Sequence, residues 1–267
     1  MKPLFFQNAY IEGSWSVLRN LLLSIAYDGR NYHGFQVQKN AVTVEEVFQD
    51  ALVRVFGARL PVKGCSRTDS GVHANQFCIS MKTESRIPCE RVIPAMNTNL
   101  PPDIAVTDCR EVLEEFHARY SCIGKEYLYR ILNRTARDPF SEGRALHYPY
   151  PLDTELLRTA CRDFAGYHDF TAFCSSGSAV EDTRRTIFRA NVERKGDFVE
   201  FRVAGDGFLY NMVRIMTGTL LEISRGSIPV EGIPEILESR DRRRAGPTAP
   251  AWGLYLNRVF YSESELI

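Results

Sequence analysis

The chain has no net charge, because 33 basic residues are matched by 33 acidic ones. Global attraction therefore cannot recruit a polyanion, and any such site must come from local segregation of charge. No run of about 18 apolar residues occurs, which argues against a transmembrane helix. Gln7, Asn8, Glu12 and Ser14 interrupt the apolar pieces near the start, so the unbroken core of a signal peptide is missing and the cytoplasm is the expected location. The seven cysteines (Cys65, Cys78, Cys89, Cys109, Cys122, Cys161 and Cys174) form no CxxC pair, and five histidines do not complete a ligand set. No metal site is expected, and the thiols are expected to be reduced and mostly buried, as Cys78 is between Phe77 and Ile79. Cofactor and hydrolase fingerprints are missing too. Gly205-Asp206-Gly207 lacks the frame of a dinucleotide site, and no P-loop, GxSxG elbow or HExxH motif occurs.

What is present is an ordinary globular pattern, long enough at 267 residues for one large domain or two smaller ones. Residues 21–27 read as a buried strand closed by Asp28-Gly29. Thr43 and Glu46 form a capping-box pattern before Val44, Val47, Phe48, Ala51, Leu52, Val55 and Phe56, with Gly57 just past the end. Residues 76–82 predict a strand, and a short helix follows from about Pro88. The second half repeats this grammar. Residues 125–133 predict a strand, and Asp153 caps a helix ending at Gly166. Strands follow at about 185–194 and 197–204, where Val199, Phe201 and Val203 alternate with Glu200 and Arg202. A long apolar helix over 209–223 and a final strand over 254–261 complete the pattern. The fold class is α+β, with two similar halves forming a mostly antiparallel sheet and helices packed on it. The expected divisions are an N-terminal extension of unknown role over 1–17, a first subdomain over 18–112 and a second over 113–267.

The most informative stretch is Arg67-Thr68-Asp69-Ser70-Gly71-Val72-His73-Ala74. In an extended segment, Arg67 and Asp69 would share a face, and Gly71 would allow a sharp turn after the acid. On those residues alone, a surface turn with an ion pair is the plainer reading. Basic clusters occur at Arg184-Arg185, at Arg240 with Arg242–Arg244, and in Arg119, Lys125, Arg130, Arg134 and Arg137. A run like 240–244 is more often a solvated helix end than a binding site.

Other short motifs occur in order: Tyr27-Asp28-Gly29 with Tyr32-His33-Gly34-Phe35-Gln36, then RTDSGVHA, then Asn99-Leu100-Pro101. Phe116-His117-Ala118-Arg119-Tyr120, Lys125–Arg130, Asp169–Phe173, Phe208–Arg214 and Gly253-Leu254 follow. Taken together, from about Asn20 to Tyr261, they resemble the TruA family of tRNA pseudouridine synthases. Ser66 and Ser70 depart from the family's usual Gly and Ala beside the acid, and both are small. The resemblance implies the pseudouridine synthase fold with a central cleft, and isomerisation of uridine in the anticodon stem-loop of tRNA by a homodimer, without cofactor or metal. It implies Asp69 as the catalytic carboxylate, Arg214 as its charge partner and Tyr127 as a ring lying against the target base. Arg67 would meet the RNA backbone or the flipped nucleotide, and Leu254 would help to exclude water. Arg119 and Lys125 would contribute to substrate binding. Arg214 is expected to offset the rise in pKa that a dry pocket imposes on Asp69, through two hydrogen bonds. Tyr129 is read as core, and Asp28 and Asp206 as turn-formers. A ribosomal RNA substrate, a non-catalytic RNA-binding or chaperone role, and a carboxylate hydrolase remain as alternatives.

Overall fold

The computed structural model describes residues 18–177 and 180–266, so the extension over residues 1–17 lies outside the described residues. The first half contributes β1 (Arg19–Tyr27), α1 (Val44–Phe56), β2 (Val62–Gly64), β3 (His73–Thr83), α2 (Cys89–Asn99) and β4 (Ile104–Val112). After it come β5 (Gly124–Leu132), β6 (Leu146–His147), α3 (Thr154–Cys161), β7 (Gly166–Asp169), β8 (Arg184–Lys195) and β9 (Phe198–Gly205). The last are α4 (Met212–Ser224), α5 (Ile233–Ser239) and β10 (Leu254–Phe260).

All ten strands join one sheet, with β4-β1-β3-β10-β5-β9-β8-β7 as its main order and β2 and β6 pairing β3 and β5. Neighbours are antiparallel except at β3–β10 and β5–β6. β10 is therefore the seam. It pairs β3 through Tyr255 and Leu256, and β5 along most of its length. α1 packs against α2, which lies on β4, while α3 lies on β8 and contacts α4. Leu21, Leu23, Ile25 and Phe77 are fully buried in the first half, as are Tyr129, Val199 and Phe201 in the second. In β9 the apolar Val199, Phe201 and Val203 are buried as expected, but Glu200 between them is buried too, paired with Arg202.

Local chemistry explains most boundaries. Thr43 accepts the Glu46 amide at 3.4 Å, and Gly57 closes α1 at φ +78°. Asp153 accepts the amides of Glu155 and Leu156. α3 stops at Cys161, and a 3-10 turn, not further α-helix, continues to Phe164. The apolar helix expected from 209 begins only at Met212, because Asn211 adopts a left-handed φ of 61° and breaks the pattern. The basic run near 240 is consumed internally. Arg243 pairs with Asp241, Arg244 with Glu235, and Arg242 donates to the carbonyls of Ala245 and Gly246.

α4 is the buried element that organises the second half. Thr217 and Thr219 satisfy their hydroxyls on the carbonyls of Val213 and Ile215, one turn back. The segment 246–250 lies against this helix at Gly218, where a Cβ would overlap the Pro247 carbonyl. Gly246 donates to the Thr219 hydroxyl, and Ala249 donates to the Arg214 carbonyl. Gly218→Ala should therefore destabilise the fold by about 1–3 kcal/mol, the range for overpacking a filled interior. Urea unfolding measures it; an unchanged midpoint would show that the strap is not seated as described.

Candidate active site

Residues 65–72 form the loop between β2 and β3, and they leave the sheet beside the seam. The segment after β1 holds this loop from behind. Tyr27 bonds the Thr68 hydroxyl at 2.9 Å, and the Phe35 amide donates to the Thr68 carbonyl. Gly34, at φ +84°, approaches so closely that a Cβ would overlap that same carbonyl. Gly71 donates to the Tyr32 carbonyl at 3.2 Å and has a φ of +79°, the turn its position suggested. His73 is buried at the loop's end. It accepts the Gly29 amide at Nδ1, and its Nε2 meets the carbonyls of Gly143 and Trp252. The Tyr27–Gln36 motif is thus a brace for the RTDSGVHA loop.

Asp69 opens into a cleft of about 590 Å³, within the usual range of about 300–1,000 Å³ for ligand sites. Arg67, Arg119, Lys125, Tyr127 and Leu254 line the same cleft. Arg214 approaches from α4, with Nη1 3.7 Å from the Asp69 carboxylate. All seven residues singled out from the sequence are thereby brought together. The partner expected from spacing alone is not the one found. No Arg67–Asp69 ion pair occurs among the described residues, and the counter-charge comes from residue 214.

The Asp69–Arg214 geometry also differs from expectation. At 3.7 Å the pair is an ion pair without the bidentate hydrogen bonds expected. The guanidinium is held elsewhere: Nε donates to the Ala249 carbonyl at 2.7 Å and Nη1 to Asn211 Oδ1 at 2.6 Å. Asn211 in turn donates to the Ser175 hydroxyl. Burial pushes the Asp69 carboxyl above its ordinary value, and Arg214 offsets only part of that rise. The expected reversal does not occur, because one guanidinium at this distance does not outweigh lost hydration.

Tyr127 is buried on β5, its ring edge-on to Phe208 with centroids 4.9 Å apart. Its hydroxyl lies 3.4 Å from Ser66 Oγ, and burial pushes the phenol up, so it stays protonated at neutral pH. A phenol held protonated in this way is not a proton acceptor at neutral pH. Tyr129, two residues on, is fully buried and donates to the Pro250 carbonyl, a core role. Phe208 and Asn211, read only as part of the Phe208–Arg214 motif, and Arg185, read only as part of a basic cluster, join the site without a role having been assigned to them. Arg185 crosses Gly207 at the cleft wall, its side chain donating to the carbonyls of Asp182 and Arg184. The signal for Asn211 was its spacing, one helical turn before Arg214. Asp28 and Asp206 are turn-formers as read: Asp28 caps residues 29–31 and pairs with Arg30 and Arg144, while Asp206 accepts the Thr186 amide.

Comparison with known proteins agrees with this geometry. A family model described as tRNA pseudouridine synthase matches residues 23–121 and 160–262, both sides of the cleft. The chain belongs to the tRNA pseudouridine synthase family. It is 47% identical over 244 residues to tRNA pseudouridine synthase A of Acetivibrio thermocellus, covering 91% of this chain and all of the relative. The enzyme of the same name from a Thermoanaerobacter species is 45% identical with the same coverage. That of Staphylococcus aureus is 40% identical over 247 residues, covering 92% of this chain and 94% of the relative. Among the described residues of this family member, no helix is long and apolar enough to cross a membrane, and no cluster could hold a metal ion.

The raised Asp69 carboxyl carries a signed consequence for stability. The folded state binds its proton more tightly than the unfolded state, so stability declines as pH rises from the ordinary carboxylate value through the raised one. Asp69→Asn should therefore melt higher than the parent at neutral pH. The gap should close below about pH 4, where both states are protonated. Thermal melts across pH test this, and a less stable variant at neutral pH would refute the desolvation argument.

Proposed function

We propose that this family member isomerises uridine to pseudouridine in the anticodon stem-loop of tRNA, with Asp69 as the catalytic carboxylate. The supporting observation is that Asp69 and Tyr127 line one cleft while Arg214, from a third element, stands 3.7 Å from the Asp69 carboxylate. The reaction breaks the N1–C1′ bond, turns the base and forms a C5–C1′ bond. N1 gains a proton and C5 loses one, so the reaction is balanced without a cofactor. An ionised carboxylate acts as nucleophile or base, and the released uracil must be held while it turns. The Tyr127 ring, with Phe208 edge-on to it, and Leu254 provide an apolar wall for that base. Arg67, Arg119 and Lys125 form no ion pair among the described residues, which leaves them free for phosphates of an extruded nucleotide.

Arg214 is assigned as the group that limits the rise in the Asp69 pKa. Residues 18–112 and 113–267 act in this proposal as the two subdomains flanking the cleft, in a cytoplasmic homodimer. Pairing two copies doubles the basic surface that a chain of zero net charge can offer to RNA. Sedimentation at micromolar protein checks the dimer.

The test of the chemistry is release of tritium from tRNA labelled at uridine C5. Asp69→Asn should bind the RNA and release essentially none; release at the parental rate would remove Asp69 from the mechanism. Arg214→Met should slow turnover by about a hundredfold. It should also move the acid limb of the pH profile upward, because the charge that lowers the Asp69 pKa is gone. An unshifted limb would assign Arg214 to packing alone.

A further inference from the structure

A second groove, of about 390 Å³, adjoins the cleft and shares Ser66, Arg67 and Arg119 with it. Its remaining wall includes Phe35, Lys63, His117 and Tyr120. We propose that this groove is a nucleotide subsite, which holds the phosphate and base of a residue flanking the target uridine. The inference rests on the RNA substrate of the preceding section and adds where the neighbouring strand lies.

Three features carry it. Lys63, Arg67 and Arg119 converge there with no ion pair among the described residues, whereas Arg30, Arg144, Arg243 and Arg244 elsewhere all have carboxylate partners. The one acid on the groove, Glu45, has a carboxylate oxygen engaged by the Val37 amide, so the groove remains cationic. Phosphate is the ligand that such a set of cations suits.

The second feature is Tyr120, which is 78% exposed although aromatic. Its ring packs on the His117 imidazole with centroids 4.4 Å apart, and the Arg119 guanidinium lies 5.8 Å from its centre. A ring supported on one side and open to solvent is a platform for a base.

The third is the state of His117. Its Nδ1 accepts the backbone amides of Arg119 and Tyr120, so the neutral ring carries its proton on Nε2. The turn is closed by reciprocal bonds, from the His117 amide to the Ser121 hydroxyl and from the Ser121 amide to the His117 carbonyl. The platform and one of the three cations, Arg119, are thus preset on one short, internally bonded turn, while Lys63 and Arg67 reach the groove from β2 and the loop after it. The groove's floor is equally fixed: Phe35 stacks on Phe77 at 4.0 Å, and Gly64 leaves no room for a Cβ against both rings.

Continuity with the cleft decides the occupant. Arg67 and Arg119 face both spaces, so a strand whose uridine is extruded beside Asp69 passes its next phosphate between them. A free nucleotide or a protein segment has no comparable reason to span the two.

The test measures equilibrium binding of fluorescent unmodified tRNA alongside tritium release, for the parent, Tyr120→Ala, Tyr120→Phe and Lys63→Ala. Tyr120→Ala should raise the Kd and KM about tenfold, with much less change in kcat, and Tyr120→Phe should restore both. Lys63→Ala should reduce the slope of log affinity against log salt by about one. Melting curves serve as the folding control, since Tyr120 and Lys63 are exposed. Parental affinity and parental salt slope in the alanine variants would overturn the subsite while leaving the isomerase reading intact. A parent enzyme that binds tRNA but releases no tritium would overturn the isomerase reading instead, and the binding arm would still judge the groove. A Tyr120→Phe variant as weak as Tyr120→Ala would overturn the stacking role.

Discussion

At Asp69, whose side chain is 37% exposed in the cleft, partial burial raises the carboxyl's pKa while a single guanidinium 3.7 Å away lowers it. The rest of the site depends on that opposition between desolvation and Coulomb attraction. Were the guanidinium bonded bidentately to Asp69, the acid would be stabilised but its oxygens would be occupied. Held off by Asn211 and the Ala249 carbonyl, Arg214 lends its field and leaves the oxygens accessible. The brace from Tyr27 to Phe35 keeps the acidic loop at its place, and the strap along α4 keeps the guanidinium at its own.

Zero net charge and a polyanionic substrate are reconciled by where the cations lack partners. Near residue 240 the arginines neutralise neighbouring acids and add little beyond local structure. Around the cleft and the adjoining groove, Lys63, Arg67, Arg119 and Lys125 line the walls without ion pairs among the described residues. Charge counting over the whole chain cannot distinguish these populations, because pairing depends on which segments the sheet brings together.

Much of the fold was legible because its signals are local. Thr43, Glu46 and Gly57 bound α1 by capping chemistry, and Asp153 starts α3 in the same way. β4 was not singled out, because Thr107, Asp108, Arg110 and Glu111 make it polar, as suits an outer strand paired on one side. α5 has only seven residues, beginning beside a Pro, too short for a clear period. α4 begins later than its apolar run suggests, since a left-handed Asn211 cannot be read from hydrophobicity. At the site, residue identities were legible through the ordered motifs. The balance of burial against Arg214 was not, because it depends on distances set by α4, the 246–250 segment and the loop together. The adjoining groove was hidden for a similar reason: Phe35, Lys63 and Tyr120 are far apart in sequence and meet only across the first half of the sheet.

The position of β10 has a consequence for how the molecule is made. Of the ten strands it is translated last, yet it lies between β3 and β5 in the middle of the sheet. Until it emerges from the ribosome, the facing edges of β3 and β5 have unsatisfied amides and carbonyls and could pair with other chains. Without β10 the strand order divides into two half-sheets, β4-β1-β3 and β5-β9-β8-β7. The contacts that finally unite them are among the most distant in sequence, a topology associated with slow, aggregation-exposed folding. Catalytic competence and protection from edge-to-edge association thus arrive together, with the insertion of one seven-residue segment.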